Sequence, residues 1–476
     1  MTQESSDQSK RLRVCFVIEG SYPYVTGGVS AWVHDMILGL QDIDFVLWTI
    51  TADSRMELRY QLPKNVVEHV NMVLTGPQAQ NLGLKVKKPA LLKAMLSSHH
   101  QMFRGGEFSF RDMIMTIPEG YYLSRDSTRV QEFWNLIVQM NQKNNPIYAF
   151  TDYYWAWKSV HEFMFTVLGA PAPKADIYHA VSTGFAGLAA LAAKYRHNKP
   201  FILTEHGLYH KEREIEIRKA QFIRGYQRDM WIKAYNRLSQ ACYQEADYIT
   251  ALFEENRRQQ IALGADPKKS LVIPNGIDPI KFSVERKPRP GFHVGLVGRV
   301  VPIKDIKTYI AAGKILLDTY DDLTMYCIGP TEEDPGYYED CKNMVSSLNI
   351  QDRFIFTGRQ NVLEYYSFLD VMLLTSIREA QPLVILEAWA AGVPVVSTDV
   401  GNVGEMLEFN RRYLSKPKDP EKLAEGVKYI RERPKQAKEV LERNRQRLMD
   451  MYSRDSLLDQ YRQLYSEAQG APPWQA

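Results

Sequence analysis

Short runs of uninterrupted apolar residues, each followed by a polar loop and a helix-length stretch, constrain this chain more than any other feature. Residues 11–18 contain the run VCFVI, which is bounded by the loop 19–28 and followed by a helix from about Val29. A strand apolar at successive positions is buried on both faces, the state of a strand inside a parallel sheet. Residues 45–50 and 66–73 read as two more strands, and strands resume at 176–180, 201–205, 248–251 and 271–273. A second series follows at 293–297, 324–328, 354–357, 371–375 and 394–397. Strand and helix alternating in this way specify an α/β protein with two doubly wound sheets.

The first series is interrupted. From about Thr75 to Pro173 the chain is rich in aromatics and helix formers, and it reads as a mostly helical insertion. Within it the run YAFTDYYWAW at 148–157 suits packing between helices, with an aromatic sugar platform as the functional alternative. Residues 284–291, VERKPRPG, have the composition of a linker. The expected division is therefore a first domain over 1–283, a second over 284–450 and a terminal helical segment over 451–476.

A formal charge of +3 without a long Lys/Arg tract argues against nucleic acid as a partner. Cys15, Cys242, Cys327 and Cys341 are scattered without metal-ligand spacing, which suits reduced thiols in a cytoplasm. The start MTQESSDQSKRLR has no apolar signal core, and no stretch reaches about 18 apolar residues. A cytoplasmic protein is expected, with peripheral docking at a membrane through partners left open.

Chemistry concentrates in residues 376–405, SIREAQPLVILEAWAAGVPVVSTDVGNVGE. Glu379 and Glu387 lie eight positions apart, and a helix turning about 100° per residue would leave them roughly 80° out of line. Pro382 resolves this, because proline favours the first helical turn and disfavours helix in the residue before it. Residues 376–381 then form a loop, 382–391 a helix ended by Gly392, and 394–397 a strand. The amides at the helix start, around Leu383 and Val384, would face an anion such as a nucleotide diphosphate. Glu387 suits ribose hydroxyls and Glu379 the hydroxyls of an attached sugar. The plainer reading is a capping carboxylate and a surface helix glutamate.

Other candidates sit at strand exits. Arg299 and Lys304 follow the strand 293–297 and oppose the dipole of the next helix, so phosphate is the better partner for both. Gly27 and Gly28 precede a helix and either form a turn or admit a phosphate or sugar. His206, in TEHG at the end of 201–205, is structural or faces a ligand cleft. Asn275, followed by Gly276, is either part of a common turn pair or a contributor to donor binding. Asp42-Ile43-Asp44 has a metal-holding spacing but lies at the amino end of its strand, where a solvated turn is expected and metal is not.

The pattern E-x7-E followed by A-x-A-x-G-x-P-V-V resembles the signature of family four retaining glycosyltransferases. In place of that family's Gly-aromatic-Gly run stand Ala380, Gln381 and Pro382. GGVS-x-W-V at 27–33, the His-Gly pair at 206–207, IPNGID at 273–278 and R-x4-K at 299–304 resemble further family motifs. The resemblance implies the GT-B fold, two Rossmann-like domains with a cleft between them and a C-terminal helix crossing back to the first. It also implies retention at the anomeric carbon, Glu379 and His206 at the donor sugar, and a UDP-sugar donor releasing UDP without a cofactor or metal. Longer stretches, VIEGSYPYVTGGVSAWVHDMI and TEHGLYHKEREIEI, are similar to the cytosolic transferases of bacterial Pel exopolysaccharide synthesis. That similarity implies UDP-glucose as donor, a growing polysaccharide as acceptor and a synthase complex at the inner membrane as partner. A phosphorylase or epimerase of the same fold, or a silent scaffold that binds UDP-sugar, stand as alternatives.

Overall fold

The computed structural model describes residues 11–75, 88–104, 109–121, 131–144, 149–220 and 225–470. The chain forms two units, residues 1–273 with 461–476, and residues 274–460.

The first unit is built on a parallel sheet of β1 (Arg13–Glu19), β2 (Asp44–Thr51), β3 (Val66–Val73), β4 (Ile177–Ala180), β5 (Phe201–Glu205), β6 (Tyr248–Ala251) and β7 (Ser270–Val272). Its spatial order is β3-β2-β1-β4-β5-β6-β7, so the winding reverses between β1 and β4. Val14 to Ile18 of β1 are wholly buried, which is why that strand is apolar on both faces. Between β3 and β4 lie the helices Lys88–Arg104, Arg111–Thr116, Gln131–Asn144 and Phe150–Gly169, with no strand among the described residues. Met95, Met113, Ile137, Met140, Tyr153 and Trp157 of this insertion join the same core as Trp48 and Tyr178 of the sheet. The aromatic run is therefore divided by helical periodicity: Tyr153 and Trp157 are core, while Trp155 is 61% exposed. Tyr148 lies outside the described residues.

The last helix, Arg454–Gly470, returns the chain to this unit at Tyr461. Tyr461 Oη lies 2.9 Å from Thr204 Oγ1 and 3.0 Å from Thr250 Oγ1, and Tyr465 Oη shares a 2.8 Å hydrogen bond with His179 Nδ1. Each buried hydroxyl thereby has a polar partner on β4, β5 or β6.

The second unit carries β8 (Phe292–Val297), β9 (Leu323–Ile328), β10 (Phe354–Gly358), β11 (Val371–Leu374), β12 (Val395–Thr398) and β13 (Leu414–Ser415). Their order, β10-β9-β8-β11-β12-β13, reverses between β8 and β11. The division between units falls after Ile273, about ten residues ahead of the linker read from composition. Residues 284–291 instead lie against the second unit. The Arg286 guanidinium donates to the carbonyls of Tyr366 and Leu369 at 2.6 Å each, Lys287 N donates to Ser367 O at 2.7 Å, and Arg289 stacks 3.7 Å over the Phe368 ring. Cations at the end of the helix Val362–Tyr366 satisfy carbonyls that the helix itself leaves open. No helix of the described residues is long and apolar enough to cross a membrane.

Candidate active site

In open parallel sheets, ligands gather at the carboxyl ends of strands where the winding reverses. In the second unit these are the loops after β8 and β11. The loop after β8 passes through a short 3-10 turn, Pro302–Lys304, to Asp305, whose side chain caps the helix Ile306–Thr319 by accepting from Thr308 N. The loop after β11 is fastened to its backbone: the Thr375 side chain donates from Oγ1 to Lys304 O at 2.8 Å, and Ile377 N donates to Ile303 O at 2.9 Å. From the other side Asn402 N donates to Ala380 O at 2.8 Å. Gly401 is required there: its φ is +56°, and a Cβ would come within 2.3 Å of Glu379 O and 2.4 Å of Ala380 O.

This lacing brings Lys304, Ser376 and Glu379 together. Glu379 Oε1 accepts from Lys304 Nζ at 2.5 Å and from Ser376 Oγ at 2.7 Å, with the Lys and Glu side chains 16% and 15% exposed. Arg299 is placed differently. It donates to both carboxylate oxygens of Glu333 at 2.6 Å, and both side chains are about half exposed. The two cations read as phosphate ligands thus each hold a carboxylate of this chain.

Glu387 lies on the helix Leu383–Ala390, one turn beyond Leu383 and Val384, and Pro382 offers that helix no side-chain cap. Its Oε2 accepts from the buried Tyr366 hydroxyl at 3.3 Å. Burial pushes the Glu387 pKa up, while Tyr366 and the charge of Lys281 pull it back. Asn275 makes backbone contact with the same loop: its N–H donates to Gln381 Oε1 at 2.8 Å and its carbonyl accepts from Gln381 Nε2 at 3.0 Å. Gln381 carried no signal of its own in the sequence.

In the first unit, Gly27 is extended and Gly28 opens the helix Gly28–Gly39; a Cβ at either glycine would meet nothing within 4 Å. The space before this helix start is open. His206 follows β5 and meets the Trp32 ring edge-on at 4.8 Å. Two carboxylates not singled out by sequence reasoning lie at strand ends beside these residues. Glu19 accepts from Phe185 N at 3.0 Å and Tyr209 Oη at 2.8 Å, and burial raises its pKa. Glu205, 1% exposed, accepts from Tyr243 Oη at 2.5 Å, Gln260 Nε2 at 3.0 Å, and Thr183 Oγ1 and Tyr209 N at 3.3 Å. Burial nonetheless outweighs these bonds and lifts its pKa to about 7. The available signal was a lone acid closing an apolar strand, in VCFVIE and FILTE.

Asp42 and Asp44 are ion-paired to Arg462 at 3.2 Å and Arg11 at 3.1 Å. Among the described residues no group of three or more His, Cys, Asp or Glu side chains is placed to hold a metal ion.

Comparison with known proteins gives the class first. Anabaena HepE, in its complex with UDP and glucose, superposes with a TM-score of 0.60 at 14% identity over 96% of this chain and 99% of its own. Sucrose-phosphate synthase from Thermosynechococcus elongatus gives 0.61 at 16% identity over 97% and 100%. The fold is GT-B, with two Rossmann-like parallel-sheet domains. Residues 278–447 match the family of glycosyl transferases group 1. Residues 12–268, more than half the chain, match a domain of unknown function, DUF3492, and the chain belongs to that family. Among curated proteins, N-acetyl-alpha-D-glucosaminyl L-malate synthase of Bacillus anthracis is 32% identical over 26% of this chain. Alpha-maltose-1-phosphate synthase of Mycolicibacterium smegmatis is 25% identical over 62% of this chain and 79% of its own. The matches to the first curated relatives span only 32% to 42% of those proteins.

Proposed function

We propose that the chain is a retaining glycosyltransferase that moves a hexose from a UDP-sugar, UDP-glucose foremost, to a growing exopolysaccharide, as a PelF-like enzyme of Pel synthesis. The observation that carries this reading is the cluster of Lys304, Ser376 and Glu379 where the second sheet reverses, beside the uncapped start of the Glu387 helix. When the bond between sugar and diphosphate breaks, negative charge gathers on UDP and must be met by fixed cations and dipoles. Lys304, Arg299 and the amides at Leu383 and Val384 are assigned that role. Glu387 accepts from ribose hydroxyls and Glu379 from sugar hydroxyls. His206, Gly27 and Gly28 are the first unit's proposed contributions, and Asn275 holds the donor loop.

The reaction is proposed to need neither cofactor nor metal, because lysine and arginine supply the charge and the Asp42/Asp44 pair is occupied by arginines at the amino end of β2. HepE in complex with UDP and glucose supports a UDP-sugar donor for a chain of this fold. The proposed setting is cytoplasmic, at the inner membrane through a Pel synthase complex, without nucleic acid. The test is incubation of the purified chain with labelled UDP-glucose and oligosaccharide acceptor, following UDP release and the anomeric configuration by NMR. Retained configuration in a longer saccharide supports the reading. Tight UDP-glucose binding without UDP release, with acceptor and partners present, would make the chain a silent scaffold.

A further inference from the structure

Gln381 is 7% exposed, and both ends of its carboxamide are used on one residue, accepting from Asn275 N–H and donating to Asn275 C=O. A two-point bond of this kind fixes position and direction together, and few other side chains of this length carry both an acceptor and a donor. Asn275 belongs to the segment at which the chain passes into the second unit. That segment is itself pinned to the one by which the chain leaves. Ile277 N donates to Tyr452 O at 2.9 Å, and Arg454 N donates to Ile277 O at 2.6 Å. Gly276 permits the approach, since a Cβ there would stand 2.5 Å from Ser453 O. On its far side the Gln381 loop is tied to Ile303 and Asn402, and it carries Glu379, which accepts from Lys304 of the loop after β8.

We infer that Gln381 is a positioning residue that sets the Glu379 loop from the paired chain segments at 274–277 and 452–454. It links the place where the chain enters and leaves the second unit to the atoms proposed to meet the donor sugar. The inference rests on the proposed transferase reading for its kinetic consequence but not for its structural one. Gln381→Leu keeps the volume approximately and removes both bonds. Turnover should fall roughly 10- to 100-fold, the scale of a small misplacement of reacting groups, while UDP affinity by calorimetry changes less than about twofold, because Glu387 and the helix start are left in place.

Gln381→Glu supplies a readout that loss of packing alone would not give. A protonated carboxyl reproduces the pattern, its C=O accepting from Asn275 N–H and its O–H donating to Asn275 C=O. An ionised one has no donor and faces the Asn275 carbonyl with like polarity. Its activity relative to the parent should therefore be close to one at low pH and decline as the introduced carboxyl ionises. Glu379 with Lys304, Glu387 with Lys281, and Asp278 with Arg454 are common to both proteins and cancel in the ratio. Hydrogen exchange tests the linkage without turnover: in Gln381→Leu, amides of 274–278 and 376–382 should lose protection together while β8 and β11 keep theirs. Parental turnover in Gln381→Leu, a pH-independent ratio for Gln381→Glu, or deprotection of one segment without the other would overturn the inference. A parent chain that shows coupled exchange but no turnover would instead remove the transferase reading.

Discussion

Glu205→Gln is a perturbation whose size follows directly from the structure. Burial raises the Glu205 pKa from 4.5 to about 7, so between these values the folded chain holds a proton that the unfolded chain has released. The contribution to stability is fully present below about pH 4.5 and is lost as pH rises through 7, at about 1.4 kcal/mol per pH unit, or about 3 kcal/mol in all. The buried histidines work the other way in the same range. Burial lowers His179 to about 3 and His161 and His210 to about 4, so the unfolded chain binds their protons first and stability rises with pH toward 6.5. The parent profile is a sum of opposed slopes, and only the difference between parent and Glu205→Gln isolates the carboxyl. Glutamine fits the cavity: its oxygen can serve Thr183 and Tyr209 N. Its amide can meet the Tyr243 hydroxyl and Gln260, whose Oε1 has no hydrogen-bond partner and can turn to accept. Urea unfolding followed by tryptophan fluorescence reports mainly the first unit, because Trp389 is the one tryptophan between 274 and 460. Parent stability minus variant stability should fall by about 3 kcal/mol from pH 4.5 to 7 and level off beyond both ends. A flat or rising difference would refute the placement of a protonated carboxyl at this strand end.

Glu387→Ala should weaken UDP binding by about 1–3 kcal/mol in calorimetry, the scale of hydrogen bonds to a charged group. Because burial raises the Glu387 pKa, UDP affinity of the parent should strengthen as pH rises through that titration, and the variant should lose this dependence. Lys304→Ala and Arg299→Ala should each lower kcat/KM by about 2–4 kcal/mol of transition-state stabilisation in steady-state assays. Gly401→Ala forces a side chain into left-handed backbone and against two carbonyls of the Glu379 loop. A loss of about 1–3 kcal/mol in second-unit stability is expected in urea, together with weaker UDP binding. EDTA should leave turnover unchanged, and its abolition with recovery on Mn²⁺ would exclude the metal-free proposal.

Strands such as 201–205 were legible because a parallel strand buried on both faces leaves an apolar run; residues 66–73, a partly exposed edge strand, and 248–251 also have the same bounds in sequence and structure. β13 escaped notice because two residues, Leu414 and Ser415, cannot show a period. The supposed linker was misread for a physical reason: arginine and proline suggest solvent, yet arginine also satisfies buried carbonyls at a helix end, as Arg286 does. The E-x7-E geometry was readable from Pro382, which divides loop from helix one residue before Leu383. What composition could not show is that Lys304 and Glu379 meet, since their encounter depends on hydrogen bonds between loops 70 or more residues apart. Gln381 and Glu205 were hidden likewise, because the partner of a buried polar group is set by the tertiary fold and not by local pattern.

The Lys304–Glu379 pair also governs how substitutions at the candidate site should be interpreted. Both side chains are largely withdrawn from water and joined at 2.5 Å, so deleting one leaves the other charged and poorly solvated. A single substitution therefore mixes two effects, loss of a group that acts on substrate and reorganisation of the partner left behind. The free energy of the second is present without donor, whereas the first is felt only when a diphosphate or sugar is bound. Ser376 sharpens the distinction, since its hydroxyl still donates to Glu379 when Lys304 is removed, whereas it carries no charge to balance Lys304 when Glu379 is removed. The two deletions are thus not mirror images. Loss of Glu379 frees a cation toward the proposed diphosphate and can tighten UDP binding even while it impairs transfer. Loss of Lys304 leaves a carboxylate that repels the same diphosphate. Opposite signs in UDP affinity for the two variants follow from this one ion pair and from no reading in which it only stabilises the fold.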